Sequence, residues 1–175
     1  MTDDLRFPIG RFVPPGDPTP DSRAQAIDAI ADAPARLRSA VAGLDEDQLD
    51  TPYRPGGWTL RQVVHHVPES HMNAYIRTKL ALTETAPVIK PYDEAAWSSL
   101  PDNTIVPVDV SLDLLDALHR RWVALLRAMN PADFGREYVH PESGTHTLDH
   151  LVALYAWHGR HHVAHLTSTR RRERW

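Results

Sequence analysis

The stretch GGWTLRQVVHHV, residues 56–67, decides the fold class, because it marks the start of a helix more clearly than any other part of the sequence. Thr59 and Gln62 have the spacing of a capping box, in which each side chain accepts a hydrogen bond from the other residue's backbone N–H. Trp58 and Val63 occupy the two positions of a hydrophobic staple across the same helix start. A helix is therefore predicted to begin at residue 59.

Apolar residues recur every three or four positions after this start and in three further segments. This period is typical of helices that bury one face. It predicts helices over residues 59–82, 22–44, 111–129 and 147–171, with Pro68 as an internal break in the helix over 59–82. Strand-like alternation is missing almost everywhere, so an α/β fold is not expected.

Two proline-rich segments interrupt the helical pattern. The first twenty residues hold five prolines and are predicted to form an extended arm over residues 1–20, and Pro34 is expected to kink the helix that follows. Residues 85–110 hold four prolines and show no sustained period, so we interpret them as a long ordered crossover between the second and third helices. Four helices with one long connection predict an all-α four-helix bundle in a single domain over residues 1–175.

The composition excludes several classes of protein and of site. Hydrophobic residues make up 42% and charged residues 24%, with a formal net charge of −4, so neither nucleic acid nor membrane is expected as a partner. The absence of cysteine excludes a disulfide framework and any thiolate metal site. The first residues lack the pattern of a signal peptide and no apolar run is long enough to span a bilayer, so a soluble, cytoplasmic protein is expected.

Histidines are concentrated in two of the predicted helices. Eight of the eleven fall there: His65, His66, His71, His150, His158, His161, His162 and His165. Pairs four residues apart place two rings on one helix face, where they can share a metal. The pairs are His146/His150, His158/His162 and His161/His165.

A helical wheel separates these pairs. At about 100° per residue, His162 lies near the apolar centre of the last helix and His158 toward its edge, whereas His161 and His150 point away. Two neutral histidines in a core need a partner for both lone pairs, and a divalent metal is one such partner. Hydrogen bonds to each other or to carbonyls across the bundle are the alternative.

The second predicted helix offers two candidates for a third ligand. His66 falls about 110° from the apolar centre of that helix, whereas His71 falls almost on it. Pro68 lies between them, and a proline kink resets the phase of the wheel downstream. The wheel therefore leaves His66 and His71 both open.

Several motifs carry a resemblance to a known family. The segments YRPGGWTLRQVVHHVPESHMNAYIR (residues 53–77), KPYDE (90–94) and YAWHGRHHVAH (155–165), with FPIG at residues 7–10, resemble the YfiT branch of the DinB-like metalloprotein superfamily. The resemblance covers nearly the whole chain. It differs at Pro68, where relatives carry a helix former.

The resemblance implies a set of metal ligands. In that family they are the second histidine of the helix-two pair and two histidines four apart on the last helix. These correspond to His66, His158 and His162, so the resemblance favours His66 over His71.

Such a site implies an enzyme with one divalent metal per chain. Three neutral imidazoles do not neutralise the charge of the ion, and they leave one of its coordination positions open. Both properties are typical of catalytic metal sites. Imidazole suits zinc, nickel and iron alike; zinc is expected first.

The family has been described as metal-dependent hydrolases, and its superfamily includes bacillithiol and mycothiol transferases and a thiol-dependent maleylpyruvate isomerase. The resemblance therefore implies transfer of a small thiol to an electrophile through a metal-bound thiolate, with hydrolysis by a metal-activated water as the alternative.

The residue after His158 favours the thiol reaction. Gly159 stands where a His-Glu-x-x-His hydrolase carries its general base, and a metal-generated thiolate needs no separate base. His71, Glu69 and Arg160 are further candidates for a catalytic role. Arg77 and Arg160 could receive the carboxylates of a thiol cosubstrate.

The expected partners are a small-molecule thiol and an electrophilic substrate. The resemblance, together with the proline-rich arm and the crossover, also implies a homodimer. A non-catalytic bundle stabilised by its metal is the remaining alternative, and a fourth protein ligand, with His71 as the candidate, would favour it.

Overall fold

The computed structural model describes residues 5–14 and 16–175, and four long helices form most of it. The elements run in the order α1 (Pro20–Val41), α2 (Glu46–Leu49), α3 (Leu60–Thr83), α4 (Glu94–Trp97), α5 (Asp102–Ile105), α6 (Val108–Ala128), β1 (Glu137–His140), β2 (Gly144–Thr147) and α7 (Leu148–Glu173). Helix α1 packs on α7 and α6, and α3 packs on α6 and α7. The predicted all-α four-helix bundle is confirmed. None of the described helices is long and apolar enough to cross a membrane.

The start of α3 has the capping box that its sequence predicts. Thr59 accepts from the backbone N–H of Gln62 at 3.1 Å, and Gln62 accepts from that of Thr59 at 3.0 Å. A second capping box, between Thr19 and Ser22, starts α1 at Pro20 rather than at Ser22. Proline at the first helical position needs no hydrogen-bond partner for its nitrogen, which explains the earlier start.

The apolar core consists of two clusters along the bundle. Trp122 and Leu151 belong to the first cluster, and Leu115 and Leu166 belong to the second. Along α6 and α7, buried or half-buried histidines occupy the positions between the two clusters. The bundle therefore carries a polar layer inside its core, and this layer contains the candidate site.

A short antiparallel hairpin precedes α7 and was not predicted from the sequence. Its strands pair in the register Glu137↔Thr147 to His140↔Gly144. The backbone N–H of Ile89 in the crossover donates to the carbonyl of Val139 at 2.9 Å, which ties the crossover to β1. Each strand has only four residues, too few to show a clear alternation in the sequence.

The N-terminal arm lies along α7. The Phe7 ring is 5.9 Å from the ring of His161, and the Phe12 ring is 6.0 Å from that of Trp157. Residues 7–14 of the predicted extended arm form neither helix nor strand, but residues 5–6 are helical and Pro20 already belongs to α1. Residues 1–4 and 15 lie outside the described residues. The arm therefore covers a face of α7 that would otherwise be open.

Candidate metal centre

Three histidines from two helices bring ring nitrogens together in the core. His66 comes from α3, and His158 and His162 come from α7. The Nε2 atom of His158 is 3.4 Å from that of His66 and 3.1 Å from that of His162. A ligand atom from each of the three lies within 4.8 Å of the other two. We refer to these three residues, which are the set implied by the family resemblance, as the triad.

A proline in α1 determines where the proton of His158 lies. Pro34 has no N–H, so the carbonyl of Ile30 lacks its partner within the helix and accepts from Nδ1 of His119 at 2.6 Å. Burial lowers the pKa of His119 to about 4, so this ring is neutral and its Nε2 is an acceptor. His71 therefore donates from Nδ1 to His119 at 2.9 Å, and its Nε2 accepts from Nδ1 of His158 at 3.1 Å. The Nε2 atom of His158 is left with a lone pair.

A second series of hydrogen bonds has the same effect on His162. The backbone carbonyl of Arg6, in the arm, accepts from Nε2 of His165 at 3.1 Å. Burial lowers the pKa of His165 to about 4, so its Nδ1 is an acceptor. Nδ1 of His162 donates to it at 3.3 Å. His162, like His158, therefore presents an unprotonated Nε2.

The residues present fit a divalent metal ion. Burial first, and then the charges of neighbouring histidines, hold the pKa values of His158 and His162 well below their usual range. The facing Nε2 atoms of these two rings, 3.1 Å apart, have no proton to share, and a cation satisfies both lone pairs. Ligands of a tetrahedral zinc with bonds of about 2.0–2.1 Å are separated by about 3.4 Å, close to the observed distances.

A second histidine group fits a metal less well. One ligand atom each from His161, His162 and His165 also lies within 4.8 Å of the others. Both nitrogens of His165 are already engaged in hydrogen bonds. His161 stacks on Trp157 at 4.4 Å, and the arm covers it, although the wheel placed it away from the core. The triad is therefore the better candidate.

The triad opens onto a cavity of about 530 Å³. Trp58 forms one wall, with its ring 4.8 Å from that of His66. The turn before Trp58 needs glycines: Gly56 has a φ of +66°, and a Cβ on Gly57 would lie 2.7 Å from Cγ of Arg54. Residues of the arm, of α3, of the crossover and of the hairpin complete the lining.

The remaining candidate residues lie away from the triad nitrogens. His71 is fully buried and hydrogen-bonds to the far side of His158, so it is not placed as a fourth ligand. Glu69 is half-buried beside the cavity lining without forming part of it, and burial raises its pKa. Arg160 is exposed and lines a different depression, beside Phe12.

The environment of Gly159 explains the missing carboxylate after His158. A Cβ at Gly159 would lie 3.1 Å from Cβ of Ala33 in α1 and 3.9 Å from the ring of His71. The position is therefore filled by the contact between α1 and α7, and it has no room for a glutamate.

The sequence analysis gave no role to His119 and left His165 as a member of an i,i+4 pair, whereas the structure shows both orienting triad rings. His119 stands four residues after Leu115 and three before Trp122, which places it on the apolar face of α6. That position could have indicated a buried histidine. The acceptors at Ile30 and Arg6 are backbone carbonyls, which leave no signal in a sequence.

Comparisons with known proteins show the family of this chain. The profile of the DinB superfamily matches residues 29–166. A Bacillus mycoides protein is 56% identical over 172 residues, which cover 98% of this chain and 99% of the relative, and a Bacillus cereus protein is 55% identical over the same length. Both carry the provisional name of a metal-dependent hydrolase.

A solved structure is also similar to this chain. It is that of YfiT from Bacillus subtilis, described as a probable metal-dependent hydrolase with an unusual four-helix bundle topology. The TM-score is 0.96 and the sequence identity 47%, over 98% of this chain and 99% of the other.

Proposed function

This chain belongs to the DinB superfamily, and from that premise we propose that it is a metal-dependent enzyme that transfers a small thiol to an electrophilic substrate. The observation that carries the proposal is the triad, whose three ring nitrogens converge beside an open cavity, with Nε2 of His158 and of His162 unprotonated. When bound, a divalent ion would supply the positive charge that favours the thiolate form of a thiol or acidifies a water.

The triad and its partners have separate tasks in this proposal. His66, His158 and His162 would hold the ion, with zinc as the first choice and nickel or iron as alternatives. The hydrogen-bonded histidines behind His158 and His162 keep the proton of each ligand ring away from the metal side. His71 is a positioning residue in this scheme, because it contacts a ligand and not the metal.

The cavity favours thiol transfer over hydrolysis. No carboxylate among the described residues hydrogen-bonds to the triad, and the carboxylates that line the cavity, Glu94 and Glu142, are exposed. A thiolate needs no general base, because its sulfur electron pair forms the new S–C bond directly after the thiol proton has passed to solvent. Where the electrophile has a leaving group, that group departs with the electrons of the broken bond.

Hydrolysis is the second candidate function, and the names of the relatives favour it. It requires a base near the metal that titrates close to neutrality. A non-catalytic bundle receives less support, because structural metal sites are normally closed by a fourth protein ligand. His71, the nearest further histidine to His158, faces the other side of that ring.

One assay separates these functions. The zinc-loaded protein is mixed with a model electrophile and, in turn, with cysteine, glutathione, bacillithiol and mycothiol. Thiol transfer predicts metal-dependent conjugation whose rate is nearly flat from about pH 6.5 to 8.5, where free thiols gain reactivity as they ionise. Cleavage of an ester or amide without any thiol, together with no metal-dependent conjugation, would establish the hydrolase instead.

We also propose that the protein is a homodimer. Large apolar side chains stay exposed along the crossover and the start of α6: Val88, Leu100, Ile105, Val110 and Leu114. Exposed apolar surface of this kind is typical of protein–protein contacts. Sedimentation equilibrium at micromolar protein should give the mass of two chains, and a mass near 19.7 kDa would reject the dimer.

A further inference from the structure

Within residues 5–14 and 16–175, the Arg77 guanidinium at the cavity has no hydrogen-bond or ion-pair partner. Its Nε is buried and has no hydrogen-bond partner, and no carboxylate among the described residues lies within ion-pair distance of its guanidinium. The same side chain lines the cavity onto which the triad opens. A buried charged donor without an acceptor costs free energy of folding. Such a donor at a cavity indicates that a ligand supplies the acceptor.

The position of Arg77 on α3 places it in line with His66. Eleven residues separate the two, and at about 100° per residue they fall within about 20° of one another on the helix. Ser70, which also lines the cavity, lies on the same face between them. At about 1.5 Å per residue the two Cα atoms are about 16 Å apart, and an arginine side chain that leans toward the helix N-terminus brings its guanidinium to about 10 Å from His66.

The groups around Arg77 leave its charge unneutralised. The charge of Arg77 adds to burial in lowering the pKa of His140, which lines the cavity from β1, and it opposes the rise that burial causes in the pKa of Tyr155. These neighbours are neutral. Glu142, in the turn after β1, also lines the cavity, but it is exposed and makes no ion pair with Arg77.

We propose that Arg77 binds a carboxylate of the substrate about 10 Å from the reacting atom at the triad. A guanidinium presents two parallel N–H donors that match the two oxygens of a carboxylate. The single charge of Arg77 matches the single charge of a carboxylate, and its two-donor fork matches the two carboxylate oxygens. The substrate class is therefore an elongated carboxylic acid whose reactive end reaches the triad. This inference rests on the proposed function only for the chemistry of the substrate end that reaches the triad.

The test measures binding to the zinc-loaded protein by calorimetry. One probe pair is an ω-mercaptoalkanoate with about 10 Å between sulfur and carboxylate, and the ω-mercaptoalcohol of the same length. A second pair carries no thiol: an α,ω-dicarboxylate of that length and the corresponding ω-hydroxycarboxylate. The variants are Arg77→Gln, Arg77→Lys and, as a matched control with an exposed arginine off the cavity, Arg160→Gln.

The wild type should bind the probe with the distal carboxylate about 10-fold to 100-fold more tightly than its alcohol partner, as expected for a charge-assisted hydrogen bond. Arg160→Gln should keep this preference and Arg77→Gln should lose it. Arg77→Lys should keep part of it, because the charge remains while the two-donor fork is lost. 3-Mercaptopropionate, which is too short to span the distance, should show no preference over its alcohol.

Equal binding of the charged and neutral probes by the wild type overturns the proposal, whether or not any variant folds. A full preference that persists in Arg77→Gln overturns it as well. If neither thiol probe binds but the dicarboxylate pair is still discriminated through Arg77, the thiol function fails and the carboxylate site stands. If thiols bind with equal affinity whatever their distal group, the carboxylate site fails and the thiol function stands.

Discussion

Replacement of His119 by phenylalanine should weaken zinc binding about 10-fold to 100-fold, although His119 does not contact the metal site directly. In the wild type, His119 connects the carbonyl of Ile30 to Nδ1 of His71. Phenylalanine has a similar volume but neither donates nor accepts. The change therefore removes the two hydrogen bonds and leaves the packing largely in place.

The size of the effect follows from the hydrogen bonds that remain. Without its acceptor, the buried Nδ1–H of His71 costs about 1–3 kcal/mol, and the ring avoids this cost by moving the proton to Nε2. That proton then faces Nδ1 of His158 at 3.1 Å, so His158 must carry its own proton on Nε2, toward the triad. Zinc binding then requires the proton of His158 to move back to Nδ1. The expected 10-fold to 100-fold loss of zinc affinity corresponds to a cost of about 1.4–2.8 kcal/mol for this move.

The assay is a competition titration of zinc between the protein and a chelating dye. His119→Gln is the matched variant, because its amide can donate to Ile30 and accept from His71, and it should bind zinc nearly as tightly as the wild type. Leu126→Ala, also on α6 but in the first apolar cluster, should lose about 2–5 kcal/mol of stability with no specific loss of zinc. Wild-type zinc affinity in a folded His119→Phe protein would refute the proton order derived for His158.

Three further predictions concern the same layer of the core. Alanine at His66, His158 or His162 should reduce bound zinc, measured by elemental analysis, to well below one ion per chain; full zinc in His66→Ala with loss in His71→Ala would place the third ligand at His71. The metal-free protein should be fully stable above about pH 6.5 and should lose stability as the pH falls toward about 4. Burial lowers the pKa values of the folded histidines, that of His66 to about 4, so over this interval the unfolded chain takes up protons that the folded chain does not. A urea midpoint that stays constant over this interval would contradict the prediction. Gly159→Ala should destabilise the bundle by about 1–3 kcal/mol, because the new methyl group would press on α1; an unchanged thermal midpoint would show that α1 moves aside freely.

The helices could be predicted from the sequence because their signals are local. The box at Thr59 and Gln62 forms as its spacing indicates, and the apolar period of each long helix is repeated in its buried residues. The wheel placed two pairs of α7 histidines differently: His158 and His162 meet His66 and His150 does not join them, as it predicted, whereas His161, which it placed away from the core, is buried beside His162 and His165.

The choice between His66 and His71 could not be made from periodicity. Both are buried, and they differ in which side of His158 they approach. That difference depends on how α3 and α7 pack, which a wheel drawn for one helix does not contain. The resemblance resolved the point in favour of His66, and the geometry agrees with that choice by placing His71 behind the ring.

The cover over His161 and the acceptors of the two hydrogen-bond series could not be predicted from the sequence, for a shared reason. Each depends on contacts between distant parts of the chain. Pro34 is the instructive case, because the kink that it predicts is a local effect, whereas the carbonyl that it frees at Ile30 matters only when α6 brings His119 to it.

The contact between the arm and α7 also sets an order of events during biosynthesis. His66 and His158 are 92 positions apart, and the Arg6 carbonyl is 159 positions from the His165 ring that it orients. A growing chain that has completed α3 but not α7 therefore offers a metal one isolated histidine of the triad. The complete triad therefore forms only when α7 packs on α3, so three-ligand binding of the ion follows that step of folding.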